Sequence, residues 1–409
     1  MTDTTMDVRA APRLPFTRSD ALHTSPMYDE LRRQGPVVRV TTPTGDPAWL
    51  VMAYKEAREA FADRRLGYFV HHDPESASTV SDAAVHSAPM GGDAFDRDMA
   101  RLRKVLVPGF TPKRMRLLVD WIQQLTDRCL DDMQAARDAD PEQPVNFHDL
   151  LGWRLPVLVI GAMLGVPDED RDHVMELSDR MGDVNGGADG KAALAELRDY
   201  MESLIEVKRR SPGHDVISDM IAAEEADPAF FEDRPMAYYA AGLVFPGHET
   251  TVARLDFGVL YLLAEPSRKA WLMVDPETRI DSTVEEVLRM TSAHNLGLLR
   301  WALEDVEMGG VTVKRGELVI ISESAANRDP TVFPNPEEFD MSRDSAPHLA
   351  FGHGPHVCLG QSLARTELRI AFPSLFRRFP NVRLAGDIRD LQIRGDRTGG
   401  GVDNVPLTW

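Results

Sequence analysis

The chain has 409 residues, of which 43% are hydrophobic, and its net charge at pH 7 is -19. So acidic a chain is poorly suited to binding nucleic-acid phosphates, and no nucleic-acid partner is expected. No run of about 18 apolar residues and no signal-peptide pattern occur, which predicts a cytoplasmic protein with no membrane partner. The two cysteines, Cys129 and Cys358, are too few for a disulfide framework.

Helical periodicity dominates the sequence, and the strand patterns are few and short. The predicted helices are, in chain order, 26–34, 54–62, 98–107, 112–136, 150–164, 168–181, 191–209, 215–225, 235–263, 267–275, 278–290 and 359–379. The predicted strands are 37–41, 48–51, 297–302, 318–322 and 403–409, with a hairpin over 309–317. This pattern predicts a mostly α protein with a small β-sheet subdomain, and we expect residues 1–409 to form a single domain.

The most informative motif is FGHGPHVCLG, which ends at Gly360 and contains Cys358. Gly352 and Gly354 allow the backbone angles of a tight turn, and the N-terminus of the following helix favours a thiolate. Phe351 can keep water from the sulfur. The motif therefore favours a thiolate metal ligand, with a buried structural cysteine and a zinc site as alternatives. Zinc is disfavoured because no second cysteine is near, whereas a single thiolate ligand is typical of haem.

This segment resembles the haem-binding loop of the cytochrome P450 superfamily, specifically of its soluble bacterial members. The resemblance extends over nearly the whole chain, from the helix near residue 26 to the final VPLTW, and four motifs occur in the family's order. It implies the cytochrome P450 fold, a haem b cofactor (iron protoporphyrin IX) and dioxygen as co-substrate. By the same resemblance, Cys358 is the axial ligand of the iron, and Phe351, Gly352 and Gly360 contact the cofactor.

A second motif, GHETT, lies inside the long apolar helix predicted over 235–263. Polar residues in such a helix need partners or solvent, and a kink with threonine-to-backbone hydrogen bonds is the structural alternative. The motif resembles the family's acid–alcohol pair, in which Thr250 would hydrogen-bond dioxygen or an ordered water and Glu249 would relay protons. Pro246 departs from the small residue usual in the family, and we expect a sharper kink there.

Haem propionates need cationic or hydrogen-bonding partners. By resemblance, these partners are Arg300, Arg103 and His356, although each arginine alone would be an ordinary surface charge. Many relatives carry histidine where this chain has Met99, which cannot donate a hydrogen bond. One propionate contact is therefore expected to be missing or replaced.

A third motif pairs Glu286 with Arg289 on one helix face. Alone, this spacing describes an ordinary surface pair worth a few tenths of a kcal/mol. In the family, however, the pair is buried and joined by a later arginine, to which Arg343 corresponds. The implied role of the three residues is structural support for the haem loop.

The substrate pocket is expected where loops and helices converge over the haem, and its predicted lining is mainly apolar. His294 and Asn295 are either polar anchors for a substrate or turn residues. The candidate pocket residues are Met90, Leu243, Val244, Pro246, Gly247, His294, Asn295, Leu296 and Leu298.

Between residues 97 and 116, seven basic residues stand against one acid in an otherwise acidic chain. The pattern is either a solvated basic helix face or a docking patch for an acidic electron donor, such as a ferredoxin reduced by an NAD(P)H-dependent reductase. No flavin or nicotinamide domain fits in this chain, so electrons are expected from outside. We expect a monomer.

The resemblance implies a monooxygenase that hydroxylates or epoxidises a hydrophobic small molecule, in secondary metabolism. Two alternatives stay open at this point. One is a thiolate-haem enzyme that uses peroxide or does not activate dioxygen, which Pro246 keeps plausible. The other is a haem-based small-molecule binder or sensor without turnover.

Overall fold

Helices dominate the computed structural model, which describes residues 11–68, 80–87, 93–232, 234–292, 294–343 and 347–409. In chain order, the helices are α1 (Met27–Arg32), α2 (Tyr54–Ala62), α3 (Ala84–Ser87), α4 (Asp93–Leu106), α5 (Pro112–Ala139), α6 (Arg154–Leu164), α7 (Arg171–Met181), α8 (Gly187–Arg210), α9 (Val216–Ala226), α10 (Met236–Ala264), α11 (Pro266–Val274), α12 (Pro276–Met290), α13 (Glu323–Ala326) and α14 (Gln361–Arg378). Their order agrees with the predicted helices, and α3 and α13 are single turns that periodicity did not predict.

The strands are short and form small sheets beside the helices. They are β1 (Val37–Thr41), β2 (Pro47–Val51), β3 (Leu66–Gly67), β4 (Val145–Asn146), β5 (Leu298–Ala302), β6 (Val306–Met308), β7 (Val311–Val313), β8 (Leu318–Ile321), β9 (Arg383–Leu384) and β10 (Pro406–Thr408). The five-stranded sheet has the order β1-β2-β8-β5-β3, in which only β2 and β8 pair in parallel. The hairpin β6–β7 begins three residues before the one predicted over 309–317, because Gly309 and Gly310, both at positive φ, form its turn.

The long helix α10 forms the centre of the helical part. Its sequence is apolar on all sides, which is the pattern of a helix buried in the core of a large protein. It packs against α6, α8, α12 and α14, so it lies between the layers of the helical region. Helical structure runs through Pro246 without interruption, so the proline does not divide α10 into two helices.

Side-chain caps fix where the helices around this centre begin. Thr111 accepts a hydrogen bond from the backbone N–H of Arg114 (3.2 Å), and proline follows the cap. Asp275 caps α12 in the same way, again with proline at the first helical position. Among the described residues, no helix is both long and apolar enough to cross a membrane.

Candidate functional site

A cavity of about 300 Å³ is bordered by α10, by β5 and by the chain around Cys358. Its wall is mainly apolar and includes Leu243, Leu298 and Phe351. Cys358 and Thr250 both line it, although more than a hundred positions separate them in the sequence. The fold therefore brings the two principal sequence motifs to one cavity.

The segment before Cys358 is a tight loop held by its own backbone. Gly352 and Gly354 have φ angles of +69° and +77°, and a Cβ on Gly354 would lie 2.9 Å from the Cα of Ala62. Glycine is thus required at Gly354 by both conformation and space. The N–H of Cys358 donates to the carbonyl of Phe351 (2.9 Å), which closes the loop and turns the thiol to the cavity.

The thiol of Cys358 lies in the wall of the cavity, where several groups act on its protonation. Its accessible surface faces the cavity, while protein atoms enclose it otherwise, and this burial raises its pKa. A hydrogen bond from the N–H of Gly360 and the charges of Arg103 and Arg365 oppose the rise without cancelling it. The helix α14 begins at Gln361, close to the predicted start near Leu359. A bound metal cation would supply the missing stabilisation of the thiolate.

Two of the predicted propionate partners, Arg300 and His356, line the cavity and meet at the ring of Tyr68. The Arg300 guanidinium lies 3.7 Å from the centre of that ring and donates to its hydroxyl (2.8 Å). The imidazole of His356 packs edge-on against the same ring, at 4.8 Å between centres. Arg103 instead donates to the carbonyl of Val357 (2.9 Å), next to the cysteine. Sequence reasoning missed Tyr68, since nothing in the local pattern around it indicates a site.

These residues fit an iron porphyrin. The cavity presents one thiol, an apolar wall for the macrocycle, and cationic groups for the two propionates. Among the described residues there is no cluster of three or more histidine, cysteine or carboxylate side chains that could hold a metal ion without a porphyrin. The donor set is therefore that of a thiolate-ligated haem rather than that of a zinc site.

On α10, Leu243, Pro246, Gly247, Thr250 and Thr251 line the cavity, as expected for residues three and four positions apart on one helix face. The hydroxyl of Thr250 donates to the carbonyl of Pro246 (3.3 Å). A Cβ on Gly247 would lie 2.5 Å from a carbon of Ile160, so this glycine lets α10 approach α6 closely. The oxygen of the Thr250 hydroxyl can therefore accept a hydrogen bond from a donor inside the cavity.

Glu249 is not among the residues that line the cavity. Its side chain is buried and packs against the C-terminal turn, where a Cβ on Gly399 would lie 2.0 Å from its Cγ. Burial acts to lower the pKa of Arg394 on that turn, and the carboxylates of Glu249 and Asp179 more than offset it. The predicted acid–alcohol pair is thus divided, because consecutive helical residues point about 100° apart.

The remaining pocket candidates divide into two groups. His294 and Leu298 line the cavity, like Leu243, Pro246 and Gly247, and the Nδ1 of His294 lies 3.1 Å from Glu323. Val244, Asn295 and Leu296 do not line it, and Met90 lies outside the described residues.

The three candidates that miss the cavity have other contacts. Val244 is fully buried on another face of α10, in the helical core. Asn295 donates to the carbonyls of Arg394 and Arg397 (2.6 and 2.8 Å), which makes it a turn residue. Leu296 packs into the core beside the sheet, and Gly297, at φ +88°, reverses the chain before Leu298.

The predicted scaffold residues lie together beneath the cysteine loop. Arg289 donates two hydrogen bonds to the carboxylate of Glu286 (2.7 and 2.8 Å), and Arg343 lies 3.5 Å from it. Arg289 also donates to the backbone carbonyls of Asn327, Pro336 and Glu338. Arg289 thus donates to five acceptor oxygens and fixes the irregular segment that precedes Cys358.

Glu285, which precedes Glu286 on α12, contacts the chain on both sides of Cys358. The sequence did not predict this role. Glu285 accepts two hydrogen bonds from Arg365 on α14 (2.6 and 2.9 Å) and lies 3.0 Å from His348. Burial acts to raise the pKa of Glu285, but these two partners lower it to about 2. The carboxylate is therefore ionised and holds the segment before Cys358 and the helix after it.

Comparisons with known proteins agree with this geometry. The family model described as Cytochrome P450 matches residues 278–388, which include the scaffold residues and the cysteine loop. Pentalenolactone synthase of Streptomyces exfoliatus is 35% identical over 97% of this chain and 99% of its own. Cytochrome P450 monooxygenase PikC of Streptomyces venezuelae is 34% identical over 94% and 90%. The crystal structure of cytochrome P450 MoxA from Nonomuraea recticatena superposes with a TM-score of 0.82 at 35% identity, covering 97% of this chain and 98% of that one.

Proposed function

The chain belongs to the cytochrome P450 family and is an oxidoreductase of the monooxygenase type, and from this premise we propose that it hydroxylates or epoxidises a hydrophobic small molecule in secondary metabolism. The observation that carries the proposal is that the thiol of Cys358 and the hydroxyl of Thr250 line one apolar cavity. Relatives of similar length include the pentalenolactone synthase and PikC, both from Streptomyces. Their names support a role in secondary metabolism.

When bound, haem b would activate dioxygen at its iron, and the thiolate donated by Cys358 favours O–O cleavage. Arg300 and His356 would hold the propionates, and Arg103 supports the cysteine loop through its hydrogen bond to the carbonyl of Val357. Tyr68 fixes the first two of these side chains by ring contacts and a hydrogen bond, so their positions are set before the cofactor arrives. Met99 cannot donate a hydrogen bond, and Tyr68 brings a hydroxyl to the wall of the cavity.

Thr250 and Glu249 would manage protons from different positions. The Thr250 hydroxyl donates to the Pro246 carbonyl, so its oxygen can accept a hydrogen bond from a water or a reacting group in the cavity. Glu249 directly precedes Thr250 on α10 and lies outside the cavity wall, so it would supply protons to the region of Thr250 rather than touch the substrate. The apolar wall excludes bulk water and favours a hydrophobic substrate.

An acidic ferredoxin-type protein would supply the electrons through the basic segment. Lys104, Lys113 and Arg116 are exposed, and Leu117 beside them is 69% exposed, a combination suited to transient docking. Arg101 does not belong to this surface, because it pairs with Asp227. An NAD(P)H-dependent reductase would reduce the ferredoxin.

The decisive experiment compares the wild-type protein with Cys358→Ser. Reduced, carbon-monoxide-treated wild-type protein is expected to give the absorption of thiolate-ligated haem, and the serine variant is expected to lose it. Product formed with a reductase system is then compared with product formed with hydrogen peroxide alone. Turnover with peroxide only would favour the peroxide-dependent alternative, and haem binding without turnover in either system would favour a binder or sensor.

A further inference from the structure

Arg254 is a buried cation on the wall of the cavity. It lies four residues after Thr250 on α10, and therefore on the same helix face. Its side chain is 3% exposed, and it lines the cavity together with Cys358. An arginine is rarely buried this deeply unless it is paired or has a function.

The partners of Arg254 are neutral. Its guanidinium donates to the hydroxyl of Thr291 (2.7 Å) and to the carbonyl of Leu288 (3.3 Å), both at the end of α12. No carboxylate of the described residues lies within ion-pair distance of it. Burial lowers its pKa to about 10, while the more distant charges of Glu323 and Cys358 act to raise it, so Arg254 stays positive at neutral pH. The end of α12 thus anchors a positive charge at the cavity, with no carboxylate of the described residues in direct contact with it.

The charge of Arg254 has no evident task in propionate binding. Arg300 and His356, which we assign to the propionates, are linked to each other through Tyr68. Arg254 is instead anchored to Thr291 at the end of α12. Arg254 and Cys358 line the same cavity, so a charge on Arg254 acts on a group held at Cys358.

We propose that Arg254 raises the reduction potential of the haem iron through its fixed positive charge. The inference rests on the haem-thiolate function proposed above. Taking one electron from an external donor converts ferric to ferrous iron and makes the site more negative by one charge. A cation held in a water-excluded wall stabilises the more negative state, because charges interact more strongly at low dielectric. Thr291 and Leu288 keep the guanidinium in place during this change.

The test is a redox titration of the purified haem protein with dithionite and mediators. Arg254→Met removes the charge, and the equilibrium constant for reduction is expected to fall about tenfold, which is 59 mV for a one-electron couple. Arg254→Lys is the matched control, since it keeps the charge, and its potential is expected to stay close to that of the wild type. Thr291→Val, which frees the guanidinium from its hydroxyl anchor, is expected to give an intermediate value.

An unchanged potential in Arg254→Met would overturn the inference, as would an equal fall in Arg254→Lys. Should the methionine variant take up no haem, Arg254→Gln provides the neutral comparison. If both neutral variants lose haem while lysine retains it, the charge of Arg254 holds the cofactor, and the inference about the potential is overturned. Loss of haem in the lysine variant as well would make Arg254 a structural residue. The carbon-monoxide spectrum of the wild-type protein tests the proposed function independently of these variants.

Discussion

His248 Nε2 and Glu249 Oε2 lie 3.7 Å apart in the core, and neither atom has a hydrogen-bond partner in the described part of the chain. The other ring nitrogen of His248 lies 3.2 Å from the carbonyl of Val244 and must carry the proton, since a carbonyl only accepts. Burial lowers the pKa of His248, and the Glu249 charge opposes this without cancelling it. The ring is therefore neutral, and its unprotonated Nε2 faces the Glu249 carboxylate. Glu249 is the member of this buried pair that we propose to supply protons to the region of Thr250.

Replacing Glu249 with glutamine should slow turnover without weakening substrate binding. The amide cannot take up and release a proton, and general acid–base catalysis typically contributes about 10²-fold or more. Glu249 does not line the cavity, so the spectral binding curve of a substrate should stay unchanged. The measurements are product formation at saturating electron donor and the solvent deuterium isotope effect. Wild-type turnover in Glu249→Gln would contradict the role.

A matched variant tests whether the position of Glu249 is also required. Gly399→Ala leaves the carboxylate in place, but the new Cβ would lie 2.0 Å from the Glu249 Cγ, so the acid must move. Overpacking of this kind costs about 1–3 kcal/mol. Turnover should fall in this variant too, and the solvent isotope effect should rise as in Glu249→Gln.

Replacing Thr250 with alanine should separate electron consumption from product formation. Alanine lacks the Thr250 hydroxyl, which is oriented by its hydrogen bond to the carbonyl of Pro246. Electrons should still be consumed, with more of them recovered as hydrogen peroxide and fewer as product. Thr250→Ser is the control, because it keeps the hydroxyl and should stay close to the wild-type coupling. Equal coupling in the alanine and serine variants would exclude a role for the hydroxyl.

Much of the helical framework follows from local pattern alone. The sequence predicts the central helix at 235–263, and the structure has it at Met236–Ala264, because an apolar run between a proline and a charged end leaves little choice. The cysteine loop is also predictable from the sequence, since Gly352 and Gly354 adopt the positive φ angles that glycine favours. Cap residues limit the error to a few positions at the helix ends.

The local sequence pattern does not determine which helix faces pack against each other. Val244 and Leu243 are equally apolar neighbours, yet only Leu243 lines the cavity, because the rotation of α10 depends on helices distant in sequence. Glu285 looks like any surface carboxylate until α14 places Arg365 beside it. Arg254 is likewise unremarkable in sequence, and only packing against the end of α12 shows that it is buried.

Removing the carboxylate charge of Glu286 should destabilise the fold more than removing Arg343. Arg289 is 2% exposed, and loss of one partner of a buried ion pair costs about 3–5 kcal/mol. Glu286→Gln should therefore lower the free energy of unfolding by an amount in this range and reduce haem content. Arg343→Met removes the 3.5 Å contact to Glu286 and more exposed hydrogen bonds to the carbonyls of Pro334, Asn335 and Glu338, and should cost about 1–2 kcal/mol. Urea unfolding followed by circular dichroism gives both values, and equal costs would contradict the assignment.

Charge reversal on the basic segment should slow electron delivery. Lys104→Glu and Lys113→Glu place negative charges on an exposed surface that we assign to an acidic donor. At low ionic strength the rate of reduction by a ferredoxin should fall about tenfold, and its dependence on salt should flatten. Lys191→Glu, at an exposed position of α8, is the control for net charge and should leave the rate unchanged. A similar slowing in all three variants would point to net charge rather than to a docking site.

Stability should also depend on pH through His148 and Asp256, whose side chains lie 2.7 Å apart. Burial acts to lower the pKa of His148, but the Asp256 carboxylate more than offsets it and raises the pKa above that of an unfolded histidine. A group with a raised folded pKa stabilises fully below its unfolded pKa of about 6.5, and this contribution is lost as pH rises through the folded value. The free energy of unfolding of the wild type should therefore exceed that of His148→Gln by the largest amount at about pH 6. This difference should shrink as the pH rises above about 6.5.

The matched control for this dependence is the exposed pair His23–Asp20, in which the histidine side chain is 68% exposed. Solvent screens such a pair, so His23→Gln should change the free energy of unfolding little at any pH. Urea unfolding of the wild type and both variants across the neutral range measures the two effects. Two other charges also act on the pKa of His148: Asp149 raises it and Arg394 lowers it. If the difference in unfolding free energy between the wild type and His148→Gln stayed constant with pH, Asp256 would not control the protonation of His148.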